Sequence, residues 1–289
     1  MPNVSEGRRD ALERVGDACS FGLLDVHVDP DHNRAVFTLA TRAPDDLDRC
    51  VGQLVEAVVR EADPGWREGV HPRLGVLDVV PFTDLSGTPH ARAIAVRYAH
   101  GFAQWIAVTF DVPTFLYGEA DPEERSLPQL RRDAFVRRTP DFGPAEPHPT
   151  LGATAVGARP VLVAVNCELD RDDVVLARRI AGDVREQGGG LPGVRALGFE
   201  LASRRRAQVS MNLTDLAATG IEEACIEVTR RARAGGADVA RIELVGLLPR
   251  SELDRCGTEF RQWAGLTVRD TIEGRLGRPG RAWVSRLRP

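Results

Sequence analysis

The chain contains no lysine: all 38 basic residues among its 289 are arginines. A protein without a lysine amine cannot form a Schiff base with a carbonyl substrate, and it cannot carry the lysine of a P-loop. No G-x-G-x-x-G follows a predicted strand either, so the common nucleotide-binding motifs are absent. A biased genome composition is sufficient to explain the loss of lysine.

Cysteines are few and scattered, and they follow no ligand spacing. The chain has five of them, an odd number, with no C-x-x-C: Cys19, Cys50, Cys167, Cys225 and Cys256. This pattern disfavours both a disulfide framework and a structural zinc site. We therefore expect reduced, buried thiols.

Other scarcities exclude further classes of function. Aromatic residues make up 6% of the chain and do not alternate with the arginines, so a stacking platform for RNA is missing. None of the six histidines has a metal-ligand spacing, and a G-x-S-x-G elbow is absent. The net charge of −4 and the pI of about 5.9 argue against nucleic acid or an anionic membrane as a partner.

The chain also lacks the apolar segments that direct proteins to membranes. Its first residues, MPNVSEGRRD, are polar, and no run reaches the length of a membrane span. We therefore expect a cytoplasmic protein without a membrane segment.

What is present predicts an α/β protein in the first half. A hydrophobic content of 43% with 28% charged residues is typical of globular proteins with a real core. Helical spacing predicts helices and alternation or apolar runs predict strands. The predicted helices are 8–19, a helix through 47–59, and 89–110; the predicted strands are 23–29, 35–41, 75–82 and 112–117.

Residues 119–157 differ from their surroundings because they are rich in proline, glycine, arginine and aspartate. The composition predicts a long loop with at most a short helix near 127–135. A loop of this length is either functional or a surface insertion. The run RRDAFVRR, residues 131–138, is typical of a solvated basic face, with docking of an acidic tail as the alternative.

The second half has a clearer order of elements. Strands are predicted at 160–169, 194–202, 207–213 and 239–247, with helices at 172–187 and 219–234. This β-α-β-β-α-β order is ferredoxin-like, and the first half resembles a looser version of it. The fold class is therefore α/β (α+β): two ferredoxin-like-related subdomains with mixed or antiparallel sheets, 1–158 and 159–289, and a ligand cleft between them.

The stretch REGVHPRLGVLDVVPF, residues 67–82, offers a candidate for chemistry. His71 lies between glycines and titrates near neutral pH, so it is suited to general acid and base catalysis. Arg73 has the geometry to hold a carboxylate in a bidentate contact. From these residues alone, a catalytic histidine and an ordinary loop histidine both stay open.

Four aspartates cluster around the predicted strand ends: Asp25, Asp29, Asp31 and Asp78. Aspartates in such places commonly form turns and caps.

Nine stretches, taken together and in order, resemble one family. They are PNVSEGRR (2–9), DPDHNRAVFT (29–38), GVHPRLGVLDVVPF (69–82), FLYGEA (115–120), DFGP (141–144), LGATAVGAR (151–159), REQGGG (185–190), AQVSMNLTD (207–215) and ELVGLLP (243–249). The chain resembles glutamate formimidoyltransferase, which is the formiminotransferase part of formimidoyltransferase-cyclodeaminase. Singly most of these motifs are weak, but jointly they are highly specific.

The resemblance implies a fold and an activity. It implies two α/β subdomains around a folate-binding cleft, commonly assembled as a homodimer. The implied reaction moves a formimidoyl group between N-formimidoyl-L-glutamate and N5 of tetrahydrofolate in histidine breakdown. Tetrahydrofolate is then a co-substrate, and no metal is expected.

The resemblance also implies site residues. The catalytic histidine of the H-P-R-x-G motif corresponds to His71, and the folate segment corresponds to residues 143–152. Within that segment Gly143, Pro144 and Gly152 are expected to contact folate.

Chemistry adds further candidates to this set. Collapse of the tetrahedral adduct requires a proton on the departing amine, which His71 would supply. Asp29 and Asp78 are candidates for stabilising the amidinium cation. Arg73 and Asn33 complete the expected binding residues.

Departures from the family pattern keep two alternatives open. The residues 67–70, Arg-Glu-Gly-Val, stand where the family has H-K-G-E, and Leu151 stands where it often has tryptophan. The family normally has a strand before P-N-x-S-E-G, and this chain begins directly on that motif. The alternatives are the same chemistry on a different amine or amino acid, and a non-catalytic folate-binding homologue.

Overall fold

The protein is represented by a computed structural model that describes residues 1–29, 33–67, 72–201 and 204–276. Two compact units are present, one formed by Met1–Pro160 and the second beginning at Val161. His71, Asp31 and the residues 68–70 lie outside the described residues.

The first unit begins with a β-α-β-β-α-β order, because a short strand that was not predicted precedes the predicted helix 8–19, and further elements extend this order. Its elements are β1 Asn3–Val4, α1 Arg9–Ala18, β2 Leu23–Asp29, β3 Arg34–Leu39, α2 Pro44–Glu61, the 3-10 helix Pro64–Arg67, β4 Leu77–Asp84, α3 Pro89–Phe110, β5 Thr114–Gly118, α4 Leu127–Asp133 and β6 Thr154–Pro160. The sheet order is β2-β3-β1-β4-β6-β5. Strands β4, β6 and β5 run parallel, whereas β1, β2 and β3 pair antiparallel with their neighbours.

Helices α1, α2 and α3 share the main core of this unit. The side chain of Thr88 caps α3 by accepting a hydrogen bond from the Ala91 N–H. Small side chains such as Ala99 and Ala103 are fully buried, which lets α3 pack closely on the sheet. The helix ends at Asp111, which has a positive φ of 55°.

A second, smaller cluster includes α4 and residues of β4, β5 and β6. Leu130 of α4 belongs to it together with Phe115, Tyr117 and Val79. Helix α4 starts with a capping box between Ser126 and Gln129. Because Leu130 is buried against these strands, its neighbour Arg131 is held close to them as well.

Strand β6 corrects the predicted loop 119–157 and the predicted strand 160–169. Residues Thr154–Pro160 form a strand between β4 and β5, and Val163–Leu169 form a separate one. The sequence TAVGARP has small side chains and no alternation because buried parallel strands are covered on both faces. Ala155 and Ala158 are fully buried, and a Cβ on Gly157 would lie 2.5 Å from the Tyr117 ring.

The second unit has the predicted order of strands and helices. Its elements are β7 Val163–Leu169, α5 Val174–Val184, β8 Val194–Leu201, β9 Arg206–Leu213, α6 Ile221–Ala234, β10 Val239–Val245, α7 Arg250–Arg255, α8 Thr258–Trp263 and α9 Ile272–Arg275, with short 3-10 helices at Glu186–Gly188 and Val268–Asp270. All pairs in its sheet are antiparallel, in the order β10-β7-β9-β8. Helices α5 and α6 pack on this sheet.

The predicted fold class is confirmed by these two sheets, one mixed and one antiparallel. The predicted burial of the cysteines is confirmed too, because all five are buried and none of them forms a disulfide. Among the residues that the structure describes, none of the helices combines the length and apolar character needed to cross a membrane.

Candidate active site

Asp78 is a fully buried carboxylate at the start of β4, with both oxygens bonded. Its Oδ1 accepts a 2.7 Å hydrogen bond from the Leu74 N–H. Its Oδ2 accepts from Arg34 Nη1 at 2.8 Å and from Arg131 Nη2 at 2.7 Å. Asp78 therefore fixes the backbone just after the H-P-R motif and draws two arginines from distant parts of the chain together.

The segment that follows His71 is paired with the end of the predicted folate segment. The Val76 N–H donates to the Leu151 carbonyl and the Ala153 N–H donates to the Leu74 carbonyl, both at 3.0 Å. Gly75 and Gly152 meet in this bridge. A Cβ on Gly75 would lie 2.4 Å from the backbone oxygens of the facing strand, so only glycine allows this approach.

Arg73 binds the backbone of two other segments of the chain. Its Nη1 donates to the Trp66 carbonyl at 2.7 Å and to the Asn33 carbonyl at 3.3 Å. The indole N–H of Trp66 in turn donates to the Thr150 carbonyl at 2.8 Å. Burial lowers the pKa of Arg73 from its usual value, Arg131 lowers it further, and Asp78 opposes both effects.

Arg34 spans β1 and β4 through its guanidinium group. It donates to Asn3 Oδ1 from Nε and Nη2, at 3.2 and 2.8 Å, besides its bond to Asp78. Burial lowers the pKa of Arg34, and the neighbouring charges of Arg131 and Arg73 lower it further. Asp29 lies directly across the strand pair from Arg34.

Tyr117 and Arg159 extend this polar cluster along β5 and β6. The Tyr117 side chain is 5% exposed, and burial raises its pKa above the usual value. Arg159, which hydrogen-bonds the Tyr117 hydroxyl, lowers that pKa in part. The charges of Arg131 and Asp78 also act on the pKa of Tyr117, the first lowering it and the second raising it.

The glycines and the proline of the predicted folate segment do not all lie together in the structure. Gly152 is buried on Gly75, whereas a Cβ on Gly143, which has a φ of +88°, would lie 3.2 Å from the Ala107 side chain and from the 112–113 backbone at the end of α3. Pro144 is half-buried next to it. The structure thus joins Arg73 to Asn33 directly, brings Asp78 and Gly152 against the segment 74–75, and places Gly143 against α3 instead.

Sequence reasoning missed four residues of this cluster: Arg34, Arg131, Trp66 and Tyr117. The prediction that RRDAFVRR forms a solvated basic face is wrong for its two key arginines. Arg131 binds Asp78, and Arg138 is buried between Asp121 and Asp141. The motif matches around Arg34 and Tyr117 were the available signal, but no pattern in the sequence connects either residue to Asp78.

No group of histidine, cysteine or carboxylate side chains among the described residues is arranged to hold a metal ion.

The fold and the geometry of the Asp78 cluster together define the class to which this protein belongs. It is a two-unit α/β protein of ferredoxin-like strand order, with an arginine-rich cluster around the residues that follow the H-P-R motif. Residues 1–159 match the formiminotransferase domain, N-terminal subdomain, and residues 164–272 match the formiminotransferase domain. The chain belongs to the formiminotransferase family.

Known relatives support this membership over most of the chain. Glutamate formimidoyltransferase of Thermoplasma acidophilum is 31% identical over 294 residues, covering 96% of both chains. The Streptococcus pyogenes glutamate formimidoyltransferase is 34% identical over 88% of this chain and 89% of that protein. Formimidoyltransferase-cyclodeaminase of Sus scrofa is 37% identical over 86% of this chain, and the matched part is 49% of its own length. The chain therefore spans about half the length of that bifunctional relative and nearly all of the first two.

Proposed function

We propose that the protein moves a formimidoyl group between N-formimidoyl-L-glutamate and N5 of tetrahydrofolate, with His71 as general acid and base. The observation that carries the proposal is the pairing of residues 74–76 with residues 151–153, in a chain matched along both units by one family. This pairing holds the residues after His71 against the end of the predicted folate segment. Tetrahydrofolate acts as a co-substrate.

The reaction requires one proton to change nitrogen atoms. The N5 lone pair attacks the amidinium carbon, which gives a tetrahedral carbon bonded to three nitrogens. His71 accepts the N5 proton and delivers a proton to the glutamate nitrogen. The bond from carbon to that nitrogen then breaks, releasing glutamate and 5-formimidoyl-tetrahydrofolate. A group that titrates near neutral pH suits both transfers.

The finer expectations belong to the same proposal. Arg73, Asn33, Asp29, Gly143, Pro144 and Gly152 would bind the substrates, and Asp78 would act through the residues it fixes. The active form would be a homodimer in the cytoplasm, where the five free cysteines stay reduced. The pathway would be histidine degradation.

Replacement of His71 tests the catalytic role. We expect His71→Ala and His71→Asn to lower the turnover number by roughly 10² to 10⁴-fold, because general acid–base catalysis contributes that much. Folate affinity, measured by equilibrium binding, should stay nearly unchanged. His90→Ala is the matched control, since His90 is an exposed histidine at the start of α3. Near-normal turnover in both His71 variants would contradict the assignment.

A second candidate function is the same transfer with a different amine, favoured by the residues 67–70 that replace the family's H-K-G-E. Mass spectrometry of a wild-type reaction with tetrahydrofolate and N-formimidoyl-L-glutamate distinguishes the two. Product formation supports the leading proposal. Folate binding without transfer favours a different amine or a non-catalytic homologue, and a panel of formimidoyl amines then separates these.

A further inference from the structure

Arg131 is a largely buried cation, with a side chain that is 16% exposed, and it uses only part of its hydrogen-bonding capacity. Its guanidinium group donates a hydrogen bond from Nη2 to Asp78 Oδ2. Its Nε is buried and has no hydrogen-bond partner among the described residues. A buried donor without a partner is costly to the folded state, so such a group calls for a ligand or another explanation.

The surroundings of Arg131 carry an excess of positive charge. Arg34 and Arg131 bind the same oxygen of Asp78, and the charges of both Arg131 and Asp78 act on Arg73. Two guanidinium groups thus contact one fully buried carboxylate, and its charge also acts on a third. Asp29, which is half-exposed across from Arg34, adds one further acid at the edge of the cluster. An anion placed beside Arg131 would be attracted by this charge.

The other two arginines are committed to the protein's own backbone and side chains. Arg73 donates to two main-chain carbonyls, and Arg34 donates twice to Asn3 besides its bond to Asp78. Arg131 differs because its Nε donates no hydrogen bond to a described residue. Helix α4 fixes it in place: Leu130, the adjacent residue, is fully buried, and Asp78 anchors the guanidinium group itself.

We infer that Arg131 binds a carboxylate group of the amino-acid substrate and thereby selects an acidic amino acid over a neutral amine. Guanidinium groups are well suited to this contact because they offer several donors in one plane. Asp78 acts as the positioning residue, since it orients the guanidinium group of Arg131 through Nη2. The identity of the substrate rests on the proposed function, but the anion site itself does not.

Equilibrium binding tests the inference without requiring turnover. The probes are N-formyl-L-glutamate, an unreactive analogue of the donor, and N-formyl-L-glutamine, which lacks the side-chain charge. Both are titrated by calorimetry in the presence of tetrahydrofolate. In Arg131→Gln we expect the affinity for N-formyl-L-glutamate to fall by roughly tenfold to a hundredfold, which corresponds to losing a hydrogen bond to a charged group.

Matched variants separate binding from folding. Arg132→Gln removes the same charge from the neighbouring, exposed residue of α4 and should bind the probe like the wild type. Arg131→Lys keeps the charge but has fewer fixed donors, so it should bind with intermediate affinity and serves if Arg131→Gln does not fold. Thermal unfolding by circular dichroism reports folding in each variant.

The possible outcomes distinguish the inferred anion site at Arg131 from the proposed formimidoyl transfer. A loss of affinity for both probes assigns Arg131 to the α-carboxylate, and a loss of discrimination between them assigns it to the side-chain carboxylate; either supports the inference. Wild-type protein that does not bind N-formyl-L-glutamate, or folded Arg131 variants that bind it normally, would overturn it. Arg131-dependent binding without formimidoyl transfer would leave the anion site standing and remove the proposed function.

Discussion

At the scale of single residues, the lysine-free composition fits the construction of the Asp78 cluster. Arg34 bonds Asn3 and Asp78 at once, which a lysine ammonium reaches less readily because it is a point charge without fixed directions. Asp78 satisfies a backbone N–H and two guanidinium groups with its two oxygens. The cluster therefore positions the residues after His71, and it also concentrates positive charge at one place.

Asp78→Asn tests how much this carboxylate contributes to stability. We expect the free energy of unfolding, measured by urea denaturation, to fall by about 3 kcal/mol or more, because two largely buried cations lose their counter-charge. The control is Asp46→Asn, which breaks an ion pair whose partners are 49% and 62% exposed, Asp46 and Arg49. That pair should contribute less than ~1 kcal/mol. Equal effects of the two variants would contradict the role given to Asp78.

At the scale of elements, strand β6 shows how packing selects small residues. It lies between two parallel neighbours, is covered on one face by the core that includes α3, and contacts Tyr117 on the other. Its centre therefore accepts alanine and glycine where an exposed strand would accept larger residues. The same strand carries Arg159 to the polar cluster, so the packing of β6 also sets part of the site.

Gly157→Ala tests this tight packing. A methyl group there would lie 2.5 to 2.7 Å from ring atoms of Tyr117, so we expect the variant to lose about 1–3 kcal/mol of unfolding free energy. Gly182→Ala in α5 is the opposite case, because nothing lies within 4 Å of its added methyl group. That substitution should stabilise the protein by about 0.5–1 kcal/mol. Thermal melts of both variants check the opposite signs.

At the scale of the whole molecule, the ion pairs formed between described residues all use a guanidinium group as their cation. Arginine stays protonated far above neutral pH, so the pH dependence of these pairs comes from the carboxylates. Asp121 is the clearest case. Burial alone would raise its pKa, but hydrogen bonds from Arg125 and the Glu123 N–H and the charge of Arg138 lower it to about 2.

This pKa predicts acid sensitivity with a definite sign. The ordinary value of 3.8 applies to the unfolded chain, so Asp121 stabilises the folded state above about pH 4, and this contribution is lost as the pH falls towards 2. The loss should amount to about 2 kcal/mol. Urea denaturation between pH 5 and pH 2 (roughly the window of this titration) should show a shallower slope in Asp121→Asn. Asp10→Asn, at an exposed pair, should keep the wild-type slope.

Periodicity was enough to predict most of the elements. Helix α3 was predicted at its observed bounds, and so was β2, because both have strong patterns and clear boundary signals. Strand β6 and the burial of Arg131 and Arg138 were not predictable in this way. Strand β6 lacks any alternation of apolar and polar residues. The burial of the two arginines depends on carboxylates that are either distant in the sequence or brought back to the arginine by a turn of the chain.

The sequence by itself determined the fold class, the reduced cysteines and the family, since these depend on local periodicity, residue chemistry and ordered motifs. Only the tertiary structure decided which charged groups meet. Arg34, Asp78 and Arg131 are separated by 44 and 53 residues, and no local rule pairs them. Their contact arises because strand pairing and the burial of Leu130 bring three segments to one place, where a buried carboxylate requires partners.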